Sequence, residues 1–320
     1  MQPNVRSIRR RAGRWAVRSG RAVSRRLGPR AELGLERALL KRSWRHLKPG
    51  RLQKYLVTGY QSPLINIQSI LARHHLIDQL AGDRFKNLER SELGFAVERN
   101  RQMRAEQKRL GAKPGQRDKS AARAFATVMA DGGTLFMDRW RAELADLTSG
   151  RISVLEPACG SANDYRYMAQ CGLSDHLDYR GFDLTAANIA NAQVAHPDAD
   201  FRIGDVLDID AADAAFDWVV VHDLFEHLSP AACERAISEV CRVSRSGVLV
   251  SFFHMADIPD HIVTPLRNYY RNRLSLDRTR EAFLAHCRSV DAIHISRLAA
   301  DEFGLKRYYN SLAYTFIARK

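Results

Sequence analysis

The stretch Ser153–Asn163, SVLEPACGSAN, decides the fold of this chain, because an apolar run ends there in an acid and a loop of small residues. Val154 and Leu155 would finish a buried strand, with Glu156 at its carboxyl end. The loop that follows has almost no side-chain bulk, so a ligand can approach its backbone closely. This order predicts a strand that delivers a nucleotide-type ligand to the start of a helix.

Four further strand candidates follow, and each runs into a polar side chain. They are a segment over Tyr179–Phe182 before Asp183, a short segment before Asp205, Trp218–Val221 before His222, and Val248–Phe253 before His254. Helical stretches such as Thr185–Val194 separate them, which is typical of a parallel sheet with helices on both faces. Ligands of such sheets lie outside the carboxyl ends of the strands. The sequence therefore predicts one site that these polar residues share.

Residues 125–320 resemble the class I S-adenosylmethionine-dependent methyltransferases, in the branch that acts mainly on small molecules, glycans or lipids. The resemblance rests on the acid and small-residue loop, on the acids after the second and third strands, and on the run FDWVVVHDLFEHL at 216–228. It implies an α/β, Rossmann-like methyltransferase sheet, mostly parallel with an antiparallel terminal strand. It also implies S-adenosyl-L-methionine as the cofactor.

The resemblance carries over residue by residue to the cofactor site. The implied cofactor-binding residues are Glu156, Ala158, Gly160 and Ala162 for the methionine part, Asp183 for the ribose hydroxyls, Leu184, Asp205 and Val206 for the adenine, and His222 near the methionine. Carboxylates accept hydrogen bonds from paired hydroxyls and repel phosphates, which favours an adenosine ligand without phosphates. Alanine stands at 158 and 162 where the family usually has glycine, which leaves either weaker binding or a subfamily feature open.

Methyl transfer from a sulfonium needs mainly positioning, but a hydroxyl acceptor also needs a base. Histidine is the natural base near neutral pH, and the catalytic candidates are His254, His222 and His227. We favour His254, which follows the fifth strand on the expected acceptor side. For each of these histidines, a packing or helix-capping role is an equally good interpretation.

Asp223, Glu226 and His227 have a spacing that would place them on one helix face, and they resemble the Glu-x-x-Glu-His element of metal-assisted methyltransferases. A Glu-His pair followed by leucine also occurs widely in relatives without metal. We therefore expect no metal.

The segment PLRNYYRNRLSLDRTREAFLAHC (265–287) is rich in aromatic and basic side chains before a helical run over 278–286. In the resembled family this region commonly builds the acceptor pocket, so Tyr270, Asn272 and Arg273 are substrate-binding candidates. A surface loop packed by its tyrosines explains the pattern equally well. The closing residues 303–320 predict two strands joined around Asn310 and Ser311.

Positive charge is concentrated at the start of the chain. Residues 1–50 hold 13 Arg, 2 Lys and 2 Glu, which gives +13 of the total +14. Apolar residues within 1–30 recur at helical spacings that leave arginines on the other face, which predicts a basic amphipathic helix able to lie on an anionic membrane. A disordered tail, a nucleic-acid arm and a mitochondrial presequence remain open alternatives.

The following hundred residues predict helices. Ser62 as N-cap, Pro63 in the first turn and Gly82 as the stop bracket one of them, and a charged helix follows over about 85–110. His74 and His75 are interpreted as ordinary surface or packing residues. The domain organisation we predict is a basic segment over 1–50, a helical extension over 51–124 and a methyltransferase domain over 125–320.

Composition narrows the functional class further. No apolar run approaches the ~18 residues that a membrane span needs, and the five cysteines show no metal-type spacing. We expect a cytoplasmic protein, with the inner membrane surface as an alternative site, or the mitochondrion if the source is eukaryotic.

These features predict an S-adenosylmethionine-dependent methyltransferase that acts on an oxygen or nitrogen of a small molecule, a saccharide or a lipid-linked acceptor. A nucleic-acid methyltransferase that uses the basic arm ranks below it, because HDLF follows Val221 in place of the Asn/Asp-Pro-Pro-aromatic motif of adenine-methylating enzymes. A non-catalytic scaffold with this fold is the third hypothesis, motivated by Ala158 and Ala162. The sequence indicates neither the acceptor nor the oligomeric state.

Overall fold

The computed structural model describes residues 62, 64–111, 119–130, 132, 134–266, 269–306 and 310–320, together with residues 31, 33–35, 37 and 38 of an N-terminal helical segment. The predicted amphipathic helix over 1–30 lies outside the described residues.

Helices and strands alternate along most of the described chain. The helices are α1 (Ile67–Ala81), α2 (Lys86–Arg109), α3 (Lys119–Met129), α4 (Leu135–Ala145), α5 (Asn163–Gln170), α6 (Ala186–Ala195), α7 (Pro230–Val243), α8 (Leu276–Leu284) and α9 (Ile295–Phe303). The strands are β1 (Ile152–Pro157), β2 (Leu177–Asp183), β3 (Asp200–Ile203), β4 (Phe216–His222), β5 (Ser244–Phe252), β6 (Met255–Ala256), β7 (Leu274–Ser275), β8 (Ser289–His294) and β9 (Tyr314–Arg319).

Seven of these strands form one sheet in the order β3-β2-β1-β4-β5-β9-β8. Strands β1 to β5 are parallel, and β9 runs antiparallel to both of its neighbours, β5 and β8. The α/β fold class and the antiparallel terminal strand are therefore confirmed. The chain leaves β3 at one edge and returns as β4 beside β1, so the order reverses between β1 and β4, where ligands of such sheets bind.

Strand residues alternate between two apolar cores, one on each face of the sheet. Val154, Trp218, Val220 and Leu249 pack with α1, α4 and α5 on one face, and Leu155, Val219, Val221, Val248 and Val250 pack with α7 and α8 on the other. This alternation follows from the two-residue period of a strand. Burial on both faces explains why β4 and β5 read as continuous apolar runs in the sequence.

Helix α1 is bonded directly to the sheet. The Gln68 side-chain amide donates hydrogen bonds to the carbonyl oxygen of Tyr314 at 2.7 Å and to that of Phe252 at 3.2 Å. These bonds span the end of β5 and the start of β9. The helices before residue 150 thus complete the layer on one face of the sheet.

A buried carboxylate joins three of those helices. Glu92 on α2 accepts from Arg73 and His74 on α1, each at 2.6 Å, and from the Trp140 indole on α4 at 2.7 Å. Burial, the largest influence, raises the pKa of Glu92, but the adjacent Arg73 and His74 outweigh it and lower the value to about 2. His74 and His75 are both buried, and His75 packs edge-on against Trp218.

The predicted N-cap of α1 is wrong. Ser62 does not cap α1; it opens a preceding turn by accepting from the backbone of Ile65 and Asn66, and Asn66 caps the helix through Gln68 N at 3.1 Å. Gly82 is confirmed as the helix stop, with φ of 57°. Pro63 lies outside the described residues.

The predicted terminal hairpin around Asn310 and Ser311 is also wrong. Strand β9 pairs with β8, and helix α9 connects the two strands. The residues before Asn310 that the structure describes, 304–306, are not in a strand. Asn310 instead ties its loop to β5 by donating to the carbonyl oxygen of Phe253 at 2.7 Å.

We predict that Gly247→Ala destabilises the protein by about 3 kcal/mol, as overpacking of a rigid core does. A Cβ at this position would lie 2.2 Å from the carbonyl oxygen of Ala318 and 2.7 Å from the Trp218 ring, between two paired strands. Urea unfolding measures the loss. Gly150→Ala is the matched control, because a Cβ there meets no atom within 4 Å, and an equal loss in both variants would contradict the prediction.

Candidate active site

The turn from β1 to α5 is held in an unusual backbone conformation. Ala158, Gly160 and Ala162 have φ of 57°, 57° and 62°, in the left-handed region that favours glycine. Alanine at two of these positions costs backbone strain, and its small side chain still leaves the turn open. Glycine is absent at 158 and 162, while the left-handed backbone conformation that it favours is present at both positions.

Asp183 ties this turn to the end of β2. One carboxylate oxygen accepts from Thr185 N at 2.8 Å and the other accepts from Gly160 N at 3.2 Å. Only 9% of the residue is exposed, and burial raises its pKa even though these bonds act in the opposite direction. The side chains of Thr185 and Asn188 also form hydrogen bonds with it. Asp183 is thus held firmly at the end of β2, and Leu184 follows it directly. Ribose binding by Asp183 stays a prediction.

Glu156 is buried at the end of β1. Its carboxylate accepts from the Tyr179 hydroxyl at 2.6 Å. Burial, together with the nearby charge of Asp164, raises the pKa of Glu156 well above its usual range. The sequence placed Glu156 correctly at the strand end, and the structure shows that one of its oxygens already has a partner.

Two unpartnered polar atoms face each other beside this acid. Asp164 Oδ1 and His222 Nε2 lie 3.9 Å apart, and both atoms are buried without a hydrogen-bond partner among the described residues. His222 Nδ1 lies 2.9 Å from Ser251 Oγ, which orients the ring. An ammonium and a carboxylate, the two charged groups of an amino acid, would supply the missing donor and acceptor. The residues present therefore fit the methionine part of S-adenosylmethionine.

Asp205, the predicted adenine contact, has a partner that the sequence did not indicate. Its Oδ1 accepts from Leu207 N at 2.9 Å, and its Oδ2 lies 2.6 Å from Arg37 Nε. Leu33, one turn before Arg37, packs against the same core cluster as Val206. The N-terminal segment thus contacts the adenine end of the predicted cofactor site.

Glu226 links the ends of β4 and β5. It is 2% exposed, and its Oε1 accepts from Phe253 N at 2.5 Å and from His254 N at 3.3 Å. Burial, then the charge of Asp223, raises its pKa to about 7. Its Oε2 is buried without a hydrogen-bond partner among the described residues. The sequence pattern indicated Glu226 only as a candidate metal ligand and gave no sign of this link between the two strands.

The predicted helix face over 223–227 is wrong in its geometry. Asp223 has φ of 50°, and Phe225–His227 form a single tight turn in place of an α-helix. Glu226 therefore points toward the backbone of β5. In the part of the chain that the structure describes, no three acid, histidine or cysteine side chains are grouped so that they would hold a metal ion.

His227 and His254 have opposite electrostatic surroundings. Burial lowers the pKa of His227, but Asp223 at 3.4 Å, Glu226 and the Tyr270 carbonyl outweigh it and raise the value to about 9. Burial also lowers the pKa of His254, and the charges of Arg271 and Arg273 lower it further. The surroundings therefore favour the charged form of His227 and the neutral form of His254.

The predicted substrate residues differ in how accessible they are. Tyr270 and Asn272 are 3% and 2% exposed. The Asn272 side chain donates to the Leu228 carbonyl at 2.7 Å and accepts from Thr264 N at 3.1 Å, so both of its polar atoms are engaged within the protein. Arg273 is exposed. Acceptor binding by these residues stays a prediction, and Arg273 is the one most accessible to a ligand.

Comparison with known proteins agrees with this geometry. Residues 154–247, from β1 to β5, match the family model described as a methyltransferase domain. No curated protein matches the chain significantly.

Several solved structures are similar over part of the chain. A S-adenosylmethionine-dependent methyltransferase from Methanosarcina mazei is 14% identical, with a TM-score of 0.41 and coverage of 56% of this chain and 96% of the other. The 1,6-didemethyltoxoflavin-N1-methyltransferase of Burkholderia thailandensis, solved with 1,6-didemethyltoxoflavin and S-adenosylhomocysteine, is 18% identical, with a TM-score of 0.40 and coverage of 61% and 85%. At such values the likeness carries no argument about the acceptor.

The family match over β1 to β5 coincides with the part of the sheet where the strand order reverses and the cofactor-type residues meet. The match identifies residues 154–247 of this chain as a methyltransferase domain.

Proposed function

We propose that this protein transfers the methyl group of S-adenosylmethionine to an oxygen or nitrogen of a small-molecule, saccharide or lipid-linked acceptor. The observation that carries the proposal is that His227 and His254 follow the carboxyl ends of β4 and β5 and are joined by one hairpin, through Tyr270 N to the His227 carbonyl and Leu274 N to the His254 carbonyl. Nearby carboxylates raise the pKa of His227 to about 9, and burial and nearby arginines lower that of His254. Such a pair offers a proton acceptor and a cation within one site.

In this proposal, one group of residues binds the cofactor and His254 accepts the proton. Asp183 accepts from the ribose hydroxyls, while Asp164 and His222 meet the charged ends of the methionine part. S-adenosylmethionine supplies an already activated methyl group on a sulfonium, so the protein needs chiefly to align the acceptor with it. His254 takes the proton that the acceptor oxygen or nitrogen loses as its new bond to carbon forms.

Charge favours an acceptor that carries an anionic group. Arg271 and Arg273 are exposed and lie close enough to His254 to lower its pKa, and protonated His227 adds a third positive charge. A phosphate or carboxylate on the acceptor would be attracted to this cluster. A lipid-linked acceptor meets this requirement, and with it we propose a location at the cytoplasmic surface of a membrane. Among the described residues, no helix is long and apolar enough to cross one.

We predict that Asp183→Ala weakens S-adenosylmethionine binding by about ten- to a hundredfold, because a carboxylate that receives two hydroxyl hydrogen bonds is lost. Isothermal titration calorimetry measures the affinity. Asp178→Ala is the matched control, since Asp178 lies on the same strand with its side chain 66% exposed. Absence of binding to the folded wild type would favour the non-catalytic scaffold, and equal losses in both variants would refute the assignment of Asp183.

We predict that Arg37→Ala tightens S-adenosylmethionine binding by up to about fivefold, because the adenine amino group no longer competes with a guanidinium for Asp205. The expected change in affinity is small, because a partly exposed ion pair contributes at most about 1 kcal/mol. Calorimetry of Arg37→Ala, alone and combined with Asp205→Asn, measures the coupling. The substitution should have no effect in the Asp205→Asn background, and weaker binding in the single variant would show that Arg37 assists the cofactor.

We predict that the two histidines titrate far apart, His227 at about 9 and His254 below the ordinary pKa of 6.5. Their opposite shifts follow from the carboxylates around His227 and the arginines beside His254. Nuclear magnetic resonance titration of histidine-labelled protein measures both values, and His227→Gln and His254→Gln assign the signals. If His254 titrated above 7, it would be largely protonated at neutral pH and could not serve as the base.

A further inference from the structure

A short hairpin stands beside the histidine pair. Ile262 and Arg273 exchange backbone hydrogen bonds at 2.9 and 3.0 Å, and Arg271 N donates to the Thr264 carbonyl at 2.9 Å. We call residues 262–266 and 269–273, which the structure describes, the site hairpin.

The site hairpin exposes apolar side chains. Ile262, Val263 and Tyr269 are 51%, 39% and 37% exposed. They account for three of the seven large hydrophobic residues that are exposed in the described part of the chain, the others being Leu135, Val194, Ile203 and Leu284. Such a concentration within one hairpin indicates a surface that contacts an apolar phase or partner.

The sequence around the site hairpin carries only positive charge. The sixteen residues between Asp260 and Asp277 contain three arginines and no acid. Arg271 and Arg273 are exposed, and the preceding acid, Asp260, lies 3.4 Å from Arg278. Apolar side chains next to exposed arginines are the combination that binds an anionic bilayer, where the former enter the interface and the latter meet the headgroups.

The hairpin is fixed to the active site by backbone bonds. Tyr270 N donates to the His227 carbonyl at 3.1 Å, Asn272 N to the Glu226 carbonyl at 2.9 Å, and Leu274 N to the His254 carbonyl at 2.8 Å. The Tyr269 ring also packs edge-on against the His227 ring, with 5.6 Å between centroids. The exposed surface is therefore preformed, and it lies directly beside the proposed proton acceptor.

We propose that the site hairpin docks on an anionic lipid bilayer through Ile262, Val263, Arg271 and Arg273, and that the active site opens at that surface to an acceptor held in the membrane. The choice of acceptor rests on the proposed function, whereas the docking itself does not. A free anionic molecule would need the arginines but not the exposed Ile262 and Val263. An acidic protein partner is the competing occupant, and its chemistry would not require lipid.

Insertion of the hairpin is tested with a fluorophore at one position of the full chain. Val263→Cys labelled with nitrobenzoxadiazole should shift its emission to the blue with vesicles of phosphatidylcholine and phosphatidylglycerol, but not with phosphatidylcholine alone. The five native cysteines are buried, so labelling of the folded protein is directed to the new one. Val194→Cys is the matched control, because Val194 is 86% exposed on α6, the helix that connects β2 and β3, whereas the hairpin follows β5. An unshifted label at 263 overturns the proposal, even if the chain sediments with vesicles through another segment.

Sedimentation with the same vesicles then tests the residues. Ile262→Ser with Val263→Ser, and separately Arg271→Gln with Arg273→Gln, should each reduce partitioning, the arginine pair by about fivefold for each charge removed. Val194→Ser should leave partitioning unchanged. Unchanged partitioning in the serine pair, or the same loss in Val194→Ser, overturns the proposal.

Calorimetry of S-adenosylmethionine with the hairpin variants separates the two proposals. Normal cofactor affinity without hairpin insertion would refute only the docking. Hairpin insertion without cofactor binding would refute only the methyltransferase activity.

Discussion

Three carboxyl groups lie buried at the carboxyl ends of the parallel strands. The geometry of the site depends on the hydrogen bonds that compensate each of them for its lost hydration. Glu156, Asp183 and Glu226 end or follow neighbouring strands, and burial raises the pKa of all three. A buried carboxyl group is tolerated when it is hydrogen-bonded. Here the donors come from adjacent elements: the Tyr179 hydroxyl, the backbone of Gly160 and Thr185, and the backbone of Phe253 and His254. The same bonds that compensate the acids therefore set the positions of the loops.

This arrangement also explains why two histidines near one another differ. Glu226 and Asp223 lie beside His227, whereas the site hairpin brings arginines toward His254. Glu226 accepts from the His254 backbone, so one residue both fixes the position of the neutral histidine and stabilises the charge of the other. Asp223 raises the pKa of His227 more than Glu226 does, and burial with the hairpin arginines lowers that of His254, so two similar side chains are shifted in opposite directions.

Much of the fold and part of the site could be predicted from the sequence, because the relevant signals are local. The apolar runs that end at Glu156, Asp183 and His222 have the length of buried parallel strands. In a parallel sheet their carboxyl ends lie side by side, which predicts where these three residues meet. The N-cap of α1 was predicted wrongly because Ser62 and Asn66 have the same local chemistry, and only the turn between them decides which one caps the helix. The partner of β9 could not be inferred from nearby residues, since α9 intervenes. Arg37 beside Asp205 and the link through Glu226 depend on contacts between distant segments, which a single sequence does not display.

The hydrogen bonds of Gln68 have a consequence for the order in which the chain folds. Gln68 and Tyr314 are separated by 246 residues, and Gln68 and Phe252 by 184. Closing loops of that length costs entropy before any contact repays it, and contacts so distant in sequence slow the approach to the native state. Strands β1 and β2, joined by a short crossover, can pair early. We therefore expect the attachment of α1 across β5 and β9 to form late, after the parallel strands have paired.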